Sequence, residues 1–232
     1  MAPDQTEKGV EADELIKLRT IPLLKKRDNI LYYLLLWAPY IAIYQLTNRF
    51  HIIEPRYLAL SPLDKALPFV PWMVPVYVSY LVYVFVFIYH CDDDRDLTRI
   101  FILSYFQIFL SSLFFIFFPV AFPVEVFYSQ MDATDVFSRF WLWFDEPANC
   151  FPSLHAANSL LVIYLSQRKK PAFRAGMTIW GTLVIASTVL CKQHYIIDIS
   201  AGFGVFVFTI LLEPYVEKLL PRARTRDLIE SH

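Results

Sequence analysis

Two of the five histidines in this chain stand in local sequences that can do chemistry. His194 lies in Lys192-Gln193-His194-Tyr195-Ile196-Ile197-Asp198, with a carboxylate four residues on. On a helix that spacing puts both side chains on one face, one turn apart. A carboxylate at one imidazole nitrogen fixes the tautomer and makes the other nitrogen a better nucleophile or base. His155 lies in Cys150-Phe151-Pro152-Ser153-Leu154-His155. Pro152 suits the first turn of a helix, which leaves backbone N–H groups from Ser153 onward to bind an anion such as phosphate. Lys192 adds a positive charge two residues before His194. An anion cradle, an oriented histidine and a second histidine able to act as acid are the parts that in-line phosphoryl transfer through a phosphohistidine requires.

For these histidines to share a site, the surrounding elements must carry both to one place. Of 232 residues, 56% are hydrophobic and 19% charged, Phe (21) and Tyr (14) are abundant and Gly (5) is scarce. A soluble domain of this length has no need of so many apolar runs, so the bilayer is the expected solvent. Five stretches reach or approach the ~20 residues that span a membrane: Ile30–Leu46, Phe69–Tyr89, Ile100–Phe122, Phe173–Cys191 and Tyr195–Leu212. A sixth, Phe151–Ser166, carries His155, Asn158 and Ser159, and polar residues within a span usually face a bundle interior and mark function. The expected fold is all-α, an integral membrane bundle of about six transmembrane helices. Residues 1–28 form a polar tail with an amphipathic stretch around Leu15–Leu24, residues 29–213 the membrane catalytic domain, and residues 214–232 a basic tail. The first of these lacks the apolar core and small-residue cleavage site of a signal peptide.

Six spans put both termini on one side. Of the 21 Lys and Arg, all except Arg49, Arg56, Lys65, Arg139 and Lys192 then fall on that side, which the positive-inside bias makes cytosolic. Both histidine motifs lie at the opposite, outward mouth of the bundle. The outward loop Pro123–Cys150 is rich in aromatics (Phe137, Phe140, Trp141, Trp143, Phe144), as in a helix lying at headgroup level. The near-neutral net charge gives no reason to expect nucleic acid as a partner.

Other polar features have plainer readings. His51 and His90 have no second histidine motif beside them and read as interfacial. Asp92-Asp93-Asp94-Arg95-Asp96 fits a pattern that binds magnesium diphosphate, but it is also an ordinary charged turn whose acidic residues favour the dipole of the next helix. Three cysteines without CxxC spacing argue against a zinc site, so neither metal nor cofactor is expected. Cys150 and Cys191 lie near the two motifs and read as packing, with a disulfide the alternative in an oxidising compartment.

The pattern of motifs resembles the type-two phosphatidic acid phosphatase and haloperoxidase superfamily, in particular the membrane branch that contains inositol phosphorylceramide synthase and its bacterial relatives. That branch has Pro-Ser-Leu-His at the start of its fourth span and a distal His followed four residues later by Asp at the start of its sixth. Pro152-Ser153-Leu154-His155 and His194-x-x-x-Asp198 match in kind, order and place. Asp145-x-Pro147-x-Asn149-x-Phe151 and Asp64-Lys65-Ala66-Leu67-Pro68-Phe69 are similar as well. The resemblance covers roughly residues 30–213 and implies His194 as nucleophile, Asp198 as its orienting partner and His155 as the acid for the leaving oxygen. Ser153 and nearby N–H groups would hold phosphate. The chain departs from the family at two points. Thr188 stands where an Arg is usual, six residues before the distal His, with Lys192 the substitute charge. The loop before the fourth span holds no Lys and only Arg139, which is assigned to phosphate.

The expected activity is that of a membrane lipid phosphatase if water accepts the phosphoryl group, or of a phospholipid or phosphosphingolipid headgroup transferase if an alcohol does. Its partners are a lipid phosphate or phospholipid and the bilayer, in a bacterial inner membrane or a eukaryotic endomembrane, with the site on the periplasmic or luminal face. The competing readings are a non-enzymatic transporter or scaffold with a histidine pair along a path, and a magnesium-dependent prenyltransferase built on the acidic turn.

Overall fold

The computed structural model describes residues 21–27, 29–124, 136, 139–140, 144–146 and 148–221. Helix α1 is Ile30–Arg49; a two-residue strand β1 (Arg56–Tyr57) and a short helix α2 (Pro62–Ala66) follow. A 3-10 turn at Pro71–Met73 leads into α3 (Val74–Val78) and α4 (Tyr80–Tyr89), which together form one 19-residue apolar span. Then come α5 (Asp94–Phe117), strand β2 (Val120–Ala121), α6 (Leu154–Ser166), α7 (Pro171–Leu190) and α8 (Ile196–Leu219). Five of these spans are long and apolar enough to cross a membrane, and α6 is a shorter apolar helix. The all-α bundle expected from the sequence is therefore observed; the two parallel strands pair over two residues only.

Caps rather than hydropathy set the ends. Asn29 accepts the N–H groups of Leu31 and Tyr32 at the start of α1, and Asp93 accepts that of Asp96, drawing the charged turn into the first turn of α5. That cap starts α5 six residues before the expected Ile100, and the helix stops at Phe117, ahead of Pro119, instead of reaching Phe122. Helix α8 continues through Pro214 to Leu219, beyond the expected Leu212. Of the stretch expected to be amphipathic, residues 15–20 lie outside the described residues and residues 21–24 are not helical.

Helix α6 occupies the centre, packed against α4, α5, α7 and α8. Its interior position explains why its 13 residues include buried His155, Asn158 and Ser159: they are enclosed by neighbouring helices instead of lipid. Gln107 of α5 donates to the Ala157 carbonyl (3.2 Å) and Asn158 donates to Tyr40 of α1 (3.3 Å). Small Gly202 brings α8 against the start of α6, where an added Cβ would lie 2.5 Å from the Ser153 carbonyl.

The two ends of the bundle differ. At one, the described chain ends meet: the Ile21 N–H reaches the Leu219 carbonyl (3.0 Å), and Lys25 pairs with Asp94 (2.8 Å). Arg99, buried, pairs with Asp96 (2.6 Å), Glu217 (2.9 Å) and Glu213 (3.6 Å); Arg95 also pairs with Glu217. The acidic turn is engaged here by the chain's own groups: Lys169 pairs with Asp92 (2.6 Å) and Asp96 (3.2 Å). At the other end, β1, β2 and Asn149 join loop segments into a small cap whose core is Val120, Phe122, Val124, Cys150 and Tyr195. Both histidine motifs lie under that cap.

Candidate functional site

The local sequence that delivers His194 is a tight turn between α7 and α8. The Thr188 carbonyl accepts the N–H groups of both Gln193 and His194 (3.0 and 3.1 Å), and Lys192 takes a left-handed conformation (φ 57°) to complete the turn. Helix α8 then starts at Ile196, with Asp198 in its first turn. The Asp198 carboxylate accepts the Tyr195 N–H (2.8 Å), so the side chain that secures the helix start is also the one presented to His194.

His194 Nδ1 lies 2.9 Å from the Cys150 carbonyl oxygen and 3.3 Å from Asp198 Oδ2. Both neighbours are acceptors, so Nδ1 is the protonated nitrogen and Nε2 carries the lone pair. The pairing expected from the i, i+4 spacing is thus present, with a backbone carbonyl as a second constraint on the ring.

The element that presents His155 starts differently from the sequence expectation. Helix α6 begins at Leu154, Ser153 is its cap and accepts the Ala156 N–H (3.3 Å), and Pro152 stands outside the helix. The Ser153 N–H is not open to a ligand, because it donates to the Asp198 carbonyl (3.1 Å). The first-turn amides that have no intrahelical acceptor are those of Leu154 and His155. Ser153 is fully buried and His155 8% exposed.

The His155 ring lies between two tyrosines. Tyr77 stacks on it (centroids 4.3 Å apart) and Tyr80 tilts over it at 4.4 Å, while the His194 ring is 6.0 Å away, edge to face. Tyr77 is itself held by Asp145, whose carboxylate accepts the Tyr77 hydroxyl, the Tyr44 hydroxyl (2.8 Å) and the Asn48 amide (3.4 Å). Burial pushes the Asp145 carboxyl above the usual carboxylate range, against the opposing pull of the two tyrosine hydroxyls. Arg49 fixes the same segment through Glu146 (2.8 Å) and the Phe144 carbonyl (3.0 Å). Asp145 entered the sequence reading only as part of a motif; no periodicity or spacing marked it as a partner of α1 and α3.

Of the two cations expected at phosphate, Lys192 is engaged by backbone carbonyls. The Lys192 ammonium donates to the Asp64 and Leu67 carbonyls (3.0 and 2.8 Å), and its burial lowers its pKa despite nearby Asp64. It ties α2 to the turn that carries His194. Asp64 completes that tie: its carboxylate accepts the Ile196 N–H of α8 (2.9 Å) and caps α2 with Ser61. Burial raises the Asp64 pKa, but the bonds from Ser61 and Ile196 outweigh it and hold the carboxyl below its usual range. The Ser61-x-x-Asp64 capping box was a legible signal for this role. Arg139 is exposed. Thr188 is buried, its hydroxyl turned back onto the Ile185 carbonyl.

Cys91, Cys150 and Cys191 are buried and form no disulfide. Cys150, His194 and Asp198 offer ligand atoms within 4.8 Å of one another. Burial, however, pushes the Cys150 thiol well above its usual range, and His194 already bonds Asp198. Cys150 of this trio also belongs to the apolar core of the cap.

A family model described as the PAP2 superfamily matches residues 64–212. No curated protein matches the chain. The matched region runs from the Asp64 cap, through both histidine motifs, into α8 as far as Leu212, and it covers well over half of the sequence. The chain belongs to the PAP2 superfamily.

Proposed function

We propose that this membrane protein is a lipid phosphate phosphatase or headgroup phosphotransferase working through a phosphohistidine at His194. PAP2 membership supports phosphatase-type chemistry in general. The observation that carries the specific reading is the double constraint on His194 Nδ1 by Cys150 and Asp198, which leaves Nε2 as a free nucleophile beside His155. In the first step Nε2 forms a bond to phosphorus and the bond from phosphorus to the lipid oxygen breaks. Protonated His155 gives its proton to the departing oxygen, while the N–H groups of Leu154 and His155 and the Ser153 hydroxyl hold the other phosphoryl oxygens. In the second step an incoming hydroxyl loses its proton to His155, its oxygen bonds to phosphorus, and the bond from phosphorus to His194 Nε2 breaks, returning the lone pair to that nitrogen. Water as acceptor yields free phosphate from a phosphomonoester; a lipid alcohol yields a new phospholipid. The clustering of basic residues at the other end of the bundle supports a site on the periplasmic or luminal side.

The test is phosphate fate in purified protein with chelator present. Labelled phosphatidic acid, a polyprenyl diphosphate and phosphatidylinositol are each supplied with and without ceramide or diacylglycerol. Release of label, or its transfer to the added alcohol, should be vanadate-sensitive and lost in His194→Ala. Turnover that persists in that variant refutes the nucleophile assignment. His155→Ala should slow poor leaving groups more than good ones; equal slowing of both removes its role as acid.

A further inference from the structure

The two histidines are supported in different ways. Acceptors at Nδ1 fix His194, one of them the Asp198 carboxylate. On His155 the contacts are ring faces. Tyr77 of α3 stacks on it with the planes 27° apart, and Tyr80 of α4 tilts over it with the centroids 4.4 Å apart. A tyrosine face attracts a cation, here the imidazolium that the acid role requires. That attraction matters because the His155 ring is buried, and burial works against a charge. The His194 ring, 6.0 Å away, becomes positive in the proposed mechanism and adds repulsion.

Behind Tyr77 stands a carboxylate. The Tyr77 hydroxyl donates to Asp145 Oδ2, while Oδ1 accepts the Tyr44 hydroxyl (2.8 Å) and the Asn48 amide (3.4 Å) of α1. Asp145 is buried and anchored to two elements, so it holds the Tyr77 ring at a set place over His155. A hydroxyl bonded to a carboxylate also polarises its ring, which makes the face more negative towards a cation. We infer that Asp145 is a positioning residue of the reaction, acting through the Tyr77 ring to orient His155 and to stabilise the positive charge it carries as acid. This inference rests on the proposed role of His155. Each histidine then has one carboxylate: Asp198 bonds His194 directly, and Asp145 stands one ring removed from His155.

The experiment follows single-turnover ester cleavage by the full chain in lipid nanodiscs, so that only the first step is read. Two phosphomonoesters are used: short-chain phosphatidic acid, whose alkoxide leaves poorly without a proton, and para-nitrophenyl phosphate, whose phenolate leaves well. Asp145→Asn keeps an acceptor for the Tyr77 hydroxyl and removes the charge. It should slow the first ester about 10-fold and the second less than ~2-fold, with half-saturating concentrations within about 2-fold. Tyr77→Phe keeps a ring over His155 and removes its bond to the carboxylate, so it should give the same split. The double variant should lose no more than about 2-fold beyond either single one. Tyr44→Phe takes a hydroxyl from the same carboxylate without touching the His155 ring, and any loss it causes should be equal on the two esters.

His155→Ala, run alongside, separates the two ways of failing. Where it spares the good leaving group but Asp145→Asn and Tyr77→Phe slow both esters equally, or neither, the acid stands and the positioning role is overturned. Where His155→Ala itself slows both esters equally, the acid reading falls and this inference falls with it. If Asp145→Asn does not fold, Tyr77→Phe decides by the same split: loss confined to the poor leaving group supports the inference, and equal loss or none overturns it.

Discussion

The site depends on a close helix crossing that a single methyl group would disturb. A Cβ built on Gly202 of α8 lies 2.5 Å from the Ser153 carbonyl oxygen and 3.1 Å from the Ala156 Cβ. A carbon–oxygen contact is comfortable at about 3.3 Å or more, so Gly202→Ala requires α6 and α8 to part locally by roughly 0.8 Å. The Ser153 carbonyl has little freedom to turn aside, since it accepts the Ala157 N–H (3.0 Å), and the Ser153 N–H is bonded to the Asp198 carbonyl. The displacement therefore passes to the start of α6, two residues from His155, and to the turn of α8 that holds Asp198 against His194. A misplacement near 1 Å costs on the order of 100-fold in rate where reacting groups must align. Overpacking costs about 1–3 kcal/mol, partly offset by up to ~1 kcal/mol from the better helix propensity of alanine. Initial rates of phosphate release, with thermal unfolding measured on the same preparations, should show a loss of ~30- to 100-fold in kcat with a modest fall in Tm. The control is Gly204→Ala, two residues on, where an added Cβ meets nothing within 4 Å; it should stay within about 2-fold of wild type. Full activity in Gly202→Ala, or an equal loss in Gly204→Ala, would refute the argument that this crossing sets the spacing of the histidines.

Other perturbations probe the supports of the site. Asp64 has a lowered folded-state pKa, so its contribution to stability is complete above the ordinary carboxylate value of about 3.9 and is lost as pH falls through the lowered one. Thermal unfolding from pH 6 downward should thus show wild type losing its advantage over Asp64→Asn in that window; parallel curves would remove the linkage. Arg99→Met leaves Glu213, 5% exposed, with a weakened cationic environment and should destabilise by about 3 kcal/mol while preserving turnover per folded molecule, as judged by unfolding and active-protein titration. Asp92→Asn combined with Asp96→Asn should leave activity in excess chelator unchanged, since those carboxylates hold Lys169; a chelator-sensitive activity abolished by the pair would favour the magnesium reading of the turn.

Much of this arrangement was legible because the bilayer makes hydropathy decisive. A run such as Tyr80–Tyr89 has few alternatives to a helix, and the i, i+4 spacing of His194 and Asp198 brings their side chains together as soon as the turn before Ile196 forms. The less legible parts depend on contacts distant in sequence. Pro152 and Ser153 are both plausible near a helix start, and what selects Ser153 as the cap is its N–H bond to the Asp198 carbonyl, 45 residues away in the chain numbering. Lys192 reads locally as a free cation beside His194; only the return of α2 to the α7–α8 turn supplies the Asp64 and Leu67 carbonyls that bind its ammonium. Asp145 lies in an aromatic loop without periodicity, and its partners Tyr44 and Tyr77 belong to two different spans.

These distant contacts converge on the first turn of α8, and that convergence separates two substitutions usually treated alike. Asp198 uses its side chain to start the helix at Tyr195 and to fix His194, and its backbone carbonyl to hold the Ser153 N–H of α6. Asp198→Asn keeps one oxygen able to accept the Tyr195 N–H and leaves the carbonyl untouched, so the crossing of α6 and α8 should survive. What it removes is the negative charge that, in the proposed mechanism, stabilises a positively charged His194 as the phosphoryl group is transferred. Asp198→Ala removes the helix-start acceptor as well and leaves the Tyr195 N–H buried without its partner, at a cost of about 1–3 kcal/mol. The asparagine variant should therefore lose turnover at nearly full stability, and the alanine variant should lose both. Equal losses of stability in the two would mean that the charge, not the hydrogen bond, holds the helix start in place.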